Sequence, residues 1–400
     1  MFRHLLKLTW KRKSRNLMLS LEILLAFAIV FAVTAFGLRY AQLYRMPLGF
    51  DGTDVWSVAV QAGDNGNRRF DDAVYDSLRR GVGELPEVSS VGFAAFEPYA
   101  MSTSSSDLRR DGESGKQVRT ELLDADDGLA RVLGLELVEG RWFSALDNGS
   151  AQRPVVINRR MAQAMFPGER ALGQQFVDGK GTHVSSTYRV VGVVDAFRAK
   201  GELAAPVNFV FTRFEPGKND RDARTMLLKV KPGTARDFER RLNARLKLIR
   251  NDWSYQIEPL SSTRASMMKS RIIPLIVVGI IAAFMLLMVA FGLFGALWQN
   301  TTQRIPEIGL RRALGASAGQ IYRQIVAEQF MLSSIAIALA LLLLVQLPLT
   351  GALGDNLNWQ VFTGAAMLSM AVIYLLSLLC AVYPGWRASR LSPTEALHYE

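Results

Sequence analysis

Four stretches of this sequence, residues 17–38, 272–298, 330–353 and 359–386, are long and apolar, and only the first carries a charge, Glu22. Crossing about 30 Å of bilayer hydrocarbon takes roughly 20 mostly apolar residues in a helix. Buried helices of soluble proteins rarely run so far without a charge. Hydrophobic residues make up 50% of the chain, and much of that share is clumped into these runs. The first run reads as a retained helix and not a cleaved signal. It is too long, and Arg39 and Tyr40 follow it where a small-x-small site belongs. The expected fold is a membrane protein with four transmembrane α-helices and a large α+β extracytoplasmic domain inserted between helices 1 and 2.

The short flanks orient the chain, because Lys and Arg collect in short cytoplasmic segments. Residues 1–16 hold Arg3, Lys7, Lys11, Arg12, Lys13 and Arg15 and no acid. The link between helices 2 and 3 holds Arg304, Arg311, Arg312 and Arg323, and the tail holds Arg387 and Arg390. The link between helices 3 and 4 holds Asp355 and no base. Both termini are therefore expected in the cytoplasm. The expected divisions are a basic segment (1–16), helix 1 (17–38), an outer domain (39–271), helix 2 (272–298), an inner loop (299–329), helix 3 (330–353), helix 4 (359–386) and a tail (387–400).

A net charge of +11 raises the question of nucleic acid. The distribution answers it. The N-terminal flank supplies six of the bases, and the outer domain holds 35 basic against 30 acidic residues with no dense stripe. No nucleic-acid partner is expected. The single cysteine, Cys380, lies in helix 4, so the outer domain has no disulfide and depends on its core.

Within the outer domain, residues 55–60 read as a strand, and Phe70, Val74, Leu78 and Val82 recur at helical spacing. Pro86 stops that helix before a strand at 88–96. The same strand-helix-strand order returns at 225–230, 235–249 and 255–259. These parts, about 51–97 and 219–260, resemble each other in order, and residues from about 98 to 218 read as an inserted subdomain. In the insertion, 101–117 is Ser-, Asp- and Gly-rich and reads as a loop or hairpin tip. Residues 118–123 read as a strand, 125–133 as a short helix and 135–138 as a strand. Residues 155–158 lead from a strand into a helix ending near Phe166. Further strands are expected at 176–177, 188–194 and 208–212.

Residues for catalysis do not assemble. His4, His183 and His398 are divided between the two tails and the outer domain and cannot converge on a metal. No Ser/His/Asp set suggests itself. No G-x-x-x-x-G-K-[ST] phosphate loop exists; the nearest string, from Gly112 to Gln117, lacks the spacing. The chain is expected to be no enzyme and to bind no cofactor. Any ATP and magnesium belong to another chain.

The inner loop is the most informative segment. From Arg304 to Ala316 it places Ile308, Leu310, Ala313 and Leu314 in a short amphipathic helix, with Arg311 and Arg312 beside the apolar face and Glu307 near the N-terminus, where the helix dipole favours an acid. Gly315, Ala316 and Ser317 are expected to end this helix and cap the next. Two readings fit: a helix lying on the lipid surface with snorkelling arginines, and a helix docking in a partner's groove.

The string resembles the cytoplasmic loop of the FtsX-like and MacB-like ABC transporter permeases, with a pattern close to R-x-x-E-I-G-x-x-R-A-x-G-A. Arg304, Glu307, Ile308, Gly309, Arg312, Ala313, Gly315 and Ala316 match it. Val155 to Asn158, Met165 to Glu169 with Leu172 and Gly173, and Tyr188 to Val194 are similar to the family's outer-domain signature. The ending from Pro384 through Ala388 and Pro393 to Leu397 is similar to its usual close. The resemblance implies a type VII ABC permease with a MacB-like periplasmic domain in a bacterial inner membrane. It implies that the loop residues just named, with Arg311, couple to an ATPase. It further implies a second permease, identical or paralogous, and in efflux systems a periplasmic adaptor and an outer-membrane duct. MacB-like proteins proper carry an N-terminal ATPase domain. This sequence starts sixteen residues before its first span and resembles the split form, with a separate ATPase.

The function this implies is transmission of ATP-driven motion through the spans to the periplasmic domain, for efflux of periplasmic cargo. Release of lipoproteins and non-transporting activation of a cell-wall hydrolase or sensor are the alternatives. Outside the loop, Glu22 is the one acid inside a span, a functional candidate by default and equally a snorkelling or paired group. Gly292 and Gly295 can allow close helix approach. Trp298, Trp359 and Trp386 read as interface anchors against membrane lipid.

Overall fold

The computed structural model describes residues 13–61, 70–101, 103–110, 117–178, 186–216, 223–354 and 357–390. The basic residues up to Arg12, the three histidines, the middle of the string at Gly112, Asp355 and the closing motif beyond Arg390 lie outside the described residues. The chain divides into two compact units: Leu43–Arg271, and Met1–Gln42 together with Ile272–Glu400.

The unit Leu43–Arg271 holds three cores. Strands β1 (Val55–Gln61) and β2 (Val88–Ala94) flank helix α2 (Asp72–Gly83) in sequence, and β10 (Thr225–Val230) and β11 (Ser254–Pro259) flank α5 (Asp237–Ile249). The four strands form an antiparallel layer in the order β11-β1-β10-β2. Alternation along β1 explains the layering. Trp56, Val58 and Val60 face a core with Tyr75, Leu78 and Val82 of α2 and Phe238, Leu242 and Leu246 of α5, while Val55 faces another core on the far side. The helical residues recur at intervals of three to four, which puts them on one face. Asp71 starts α2 by accepting from the Val74 amide at 3.0 Å.

Between β2 and β10 the chain builds β3 (Ser104–Arg110), β4 (Gln117–Ala125), α3 (Leu129–Leu133), β5 (Leu137–Gly140), β6 (Arg153–Asn158), α4 (Arg159–Met165), β7 (Gln175–Asp178), β8 (Ser186–Val194) and β9 (Phe209–Arg213). Strands β4-β3-β7-β8-β6-β9 pair in turn, and β9 returns to pair with β4, closing a six-stranded barrel; β5 pairs with β8. Leu108, Val155, Ile157, Phe176, Tyr188, Val190 and Val210 share its core. One residue pair, Ala94 with Ala125, joins β2 to β4.

Two local expectations are corrected here. The stretch 101–117 is not a plain loop: Ser104–Arg110 is a barrel strand. In this run only Leu108 is fully buried, so a polar sequence can occupy a strand whose outer face meets water. The helix expected at 125–133 is only Leu129–Leu133, because Ala125 completes β4 and the Asp126 side chain then turns the chain by accepting from the Gly128 amide at 3.1 Å.

Among the described residues four helices are long and apolar enough to cross a membrane, in agreement with the four expected crossings, and their apolar runs lie in the other unit. They are α1 (Lys13–Tyr44), α6 (Leu260–Thr302), α8 (Ala318–Leu344), which continues after a break as α9 (Gln346–Thr350), and α10 (Trp359–Arg390). Each runs past its apolar run because flanking polar turns continue the same helix. Their shared core includes Ile23, Phe27, Phe31, Leu293, Ala336, Ile337, Phe362 and Ile373. Polar side chains in the spans satisfy one another across helices: Thr34 with Ser369 at 3.1 Å, Ser333 with Ser377 at 2.8 Å, and Ser334 with Tyr374 at 2.9 Å.

Candidate docking helix and outer-domain clasp

After α6 the chain forms α7 (Ile305–Ala313). Pro306 in its first turn costs no hydrogen bond there, Glu307 lies at the positive end of the dipole, and Arg311 and Arg312 lie at the negative end. Gly315 has φ of +96° and reverses the chain. Ala316 packs beside Ile308, Ile321 and Ala388. Ser317 and Gln320 then form a reciprocal capping box that opens α8.

The apolar residues of α7 do not share one face as expected. Ile305, Ile308 and Gly309 are buried, Ile308 against Ile321 of α8 and Ala388 of α10. Leu310 is 58% exposed and Leu314, just past the helix, 80% exposed. The physical reason is angular. Residues two apart on a helix are separated by about 200°, so Ile308 and Leu310 point in opposite directions. Pro306, Leu310, Ala313 and Leu314, at intervals of three to four, make an exposed apolar ridge.

The buried side is fixed by a polar relay. Arg304 pairs with Glu328 at 2.6 Å, Gln324 donates to Glu328 at 3.0 Å, Arg311 donates to Gln324 at 2.9 Å, and Arg311 pairs with Glu307 at 2.5 Å. Arg312 meets no carboxylate among the described residues. Arg304, Glu307 and Arg311 are thus engaged within the chain, and Arg312 is available to a partner.

Glu22 packs against Gly292 of α6. A Cβ added at Gly292 would lie 2.3 Å from the nearer carboxylate oxygen, so no other residue fits there without displacing the acid. Gly295 has open space around it. Glu22 makes no hydrogen bond or ion pair with a described residue.

A second construction, in the β8–β9 connection of the outer domain, leaves no signal in the sequence. Arg198 is 3% exposed. It donates to the carbonyls of Leu43 and Met46, both at 3.0 Å, to that of Ala204 at 2.7 Å and to that of Glu202. Leu43 lies in the last turn of α1, so Arg198 satisfies backbone acceptors that a helix end leaves open. Glu202, 6% exposed, receives Arg264 of α6 at 2.5 Å. Within the unit Leu43–Arg271, one loop therefore grips the last turn of α1 and the first turns of α6. Tyr99 backs it, with φ of +68°, a conformation rare for an aromatic residue, and its amide donates to Ala199 at 2.6 Å. Burial, then the Glu202 charge, pushes its hydroxyl up to about 12. Gly49 completes the contact: a Cβ there would lie 1.8 Å from the Ala196 carbonyl oxygen. No local signal could have found this, since Arg198 and Leu43 are 155 residues apart.

A cavity of about 700 Å³ opens elsewhere in the outer domain, with Arg79 paired to Asp126 at 2.7 Å and Arg213 to Asp127 at 2.8 Å on its walls. Burial pushes the Asp126 carboxyl up against the opposing pull of the Phe93 backbone and Arg79. Among the described residues no three His, Cys, Asp or Glu side chains gather for a metal.

The family model of the MacB-like periplasmic core domain matches residues 21–244, and that of the FtsX-like permease C-terminal domain matches residues 279–393. The uncharacterized ABC transporter permease YknZ of Bacillus subtilis (strain 168) is 23% identical over 401 residues, which cover 97% of this chain and 96% of YknZ. The macrolide export ATP-binding/permease protein MacB of Agrobacterium fabrum is 26% identical over 411 residues, which cover 97% of this chain and 59% of MacB. The chain thus spans nearly all of YknZ and about three fifths of this MacB. The solved periplasmic region of MacB from Actinobacillus actinomycetemcomitans aligns with 57% of this chain and 98% of its own length, at 18% identity and a TM-score of 0.38.

Proposed function

Because this chain belongs to the MacB-like, FtsX-like family of ABC transporter permeases, we propose that it receives the motion of a separate ATPase on α7 and passes it through its spans to the outer domain, for efflux of cargo on the outer side of a bacterial inner membrane. The observation that carries this reading is the exposed ridge of Pro306, Leu310, Ala313 and Leu314 on a helix whose opposite face is locked to the spans. An apolar ridge on a rigid mount fits a groove in a partner and delivers that partner's displacement without yielding. The free guanidinium of Arg312 beside the ridge suits an acidic rim.

The clasp around Arg198 and Glu202, wholly within the unit Leu43–Arg271, supports the same reading, because it fixes in one loop the residues by which α1 enters that unit and α6 leaves it. Few ionisable groups lie within the apolar runs of the spans, which supports mechanical transmission over a polar conduit through the bilayer. In this reading ATP and magnesium are held by the ATPase, both termini lie inside, and a second permease, a periplasmic adaptor and an outer-membrane duct complete the machine.

The test is reconstitution of the full chain with its ATPase. Leu310→Asp with Leu314→Asp should abolish co-purification of the ATPase while the permease still folds and inserts. Retained co-purification with retained stimulation of ATP hydrolysis would remove α7 as the docking element.

A further inference from the structure

A second feature at the same end of the spans as α7 is a ladder of aromatic rings capped by arginines. Phe294 and Trp298 of α6 stack at 6.3 Å, Trp298 and Tyr383 of α10 stack at 5.8 Å with planes 9° apart, and Tyr383 stacks on Trp386 at 6.4 Å. The Arg387 guanidinium lies 4.6 Å over the Trp298 ring, and that of Arg390 lies 4.5 Å over the Trp386 ring. Both arginines are exposed, and neither meets a carboxylate among the described residues.

A guanidinium that lies over an indole by cation–π attraction keeps N–H donors for an acceptor. A planar fork held in this way is suited to a phosphate oxygen pair, and an ammonium offers no such shape. Arg387 and Arg390 are three apart in the last turn of α10, so their side chains rise on neighbouring parts of one face. Tyr383 and Trp386 are about half exposed beneath them, giving an apolar wall that continues along the spans. Trp and Tyr at the end of a membrane span sit at headgroup depth.

We propose that Arg387 and Arg390, stacked on Trp298 and Trp386, form a binding site for the phosphate of an anionic phospholipid, whose acyl chains lie along Tyr383 and Phe294. The anion is phosphate in either of two sources, a lipid headgroup or a soluble ion. The apolar ring wall below the arginines selects the lipid, because a soluble ion gains nothing from it. A lipid held there bridges the end of α6, from which α7 departs, to the end of α10, against which α7 packs through Ala388. The site stands on the spans alone and does not depend on the ATPase reading.

The experiment reconstitutes the full chain in vesicles of phosphatidylcholine, with increasing brominated phosphatidylglycerol in one series and brominated phosphatidylcholine in the other. Quenching of tryptophan fluorescence reports contact. Brominated phosphatidylglycerol is expected to quench at lower mole fraction. Arg387→Gln is expected to weaken that preference about fivefold, the size of one basic residue's attraction to an anionic surface. Arg323→Gln removes the same charge elsewhere near that end of the spans and is expected to change little. Arg387→Lys keeps the charge, loses the fork and is expected to fall between. Equal quenching by both lipids in the unaltered chain overturns the proposal. So does an equal loss in Arg323→Gln, which means diffuse charge. Displacement of the lipid by millimolar inorganic phosphate assigns the site to a soluble anion. Unchanged lipid preference in Arg387→Gln with loss of the ATPase assigns it to a protein partner.

Discussion

Arg264 of α6 reaches Glu202 of the β8–β9 connection at 2.5 Å, and the same connection grips the end of α1 through Arg198. The Glu202 carboxylate is almost wholly buried and the Arg264 side chain is 47% exposed, so solvent screens half of the pair. Glu202→Gln should lower the stability of the full chain by only about 1 kcal/mol. Its larger effect should be on coupling: transport per ATP hydrolysed should fall while hydrolysis continues. Exchanging the charges, Glu202→Arg with Arg264→Glu, should recover part of the coupling, read by transport in vesicles. Arg198→Ala strands several buried carbonyls and should cost about 3 kcal/mol or more, seen in thermal unfolding.

Charge reversal in α7 should separate two roles. Arg311→Glu breaks the relay to Glu307 and Gln324 and should loosen the helix itself, measurable as faster proteolysis at 304–316. Arg312→Glu meets no internal partner. It should leave proteolysis unchanged and reduce ATPase recovery in co-purification. Identical behaviour of the two variants would contradict the arrangement.

Gly292→Val should drive a side chain into the Glu22 carboxylate and cost about 1–3 kcal/mol, as overpacking does. Glu22→Ala clears that space. Combined with Gly292→Val it should restore most of the thermal stability in detergent, and a double variant no better than Gly292→Val alone would disprove the contact.

Asp147 of the outer domain should make an acid-sensitive contact. Paired hydrogen bonds from Arg141, at 2.7 and 2.6 Å, hold the Asp147 carboxyl below the usual carboxylate range, against burial that pushes it up. A folded pKa below the unfolded one adds stability that is complete above the unfolded pKa, near 4, and disappears as pH falls through the folded one. Arg141→Gln should therefore lower stability at neutral pH by about 1 kcal/mol, given the exposed arginine. The difference from the unaltered chain should shrink as pH falls below about 4, followed by thermal scans across pH.

The purified chain alone should hydrolyse no ATP, since its sequence holds no phosphate loop. A phosphate-release assay on a preparation free of other ATPases checks this.

The four crossings were legible because hydrocarbon tolerates almost no charge, and the sequence shows long runs without one. Helix α7 was legible in position and not in orientation. Its apolar residues were visible, yet which of them turn inward depends on Ile321 in the next helix and on Ala388 near the end of α10. Ser104–Arg110 was unreadable as a strand, because its pairing with β4 and β7 supplies what its own side chains do not. Arg198 was unreadable altogether: a lone arginine in a loop gives no hint that its donors will be spent on backbone carbonyls of a distant helix end.

Ala94 of β2 and Thr225 of β10 are register partners in the antiparallel layer. The chain departs after the first and returns at the second, so the whole barrel is a detour between two neighbouring strands. The barrel meets the layer through a shared core at its near side, and the entropy of a longer detour grows only logarithmically. Lengthening or reshaping the far strands and their surface leaves the pairing of β2 with β10 intact. The far surface of such a body can change shape and chemistry while the strand order of the layer stays as it is.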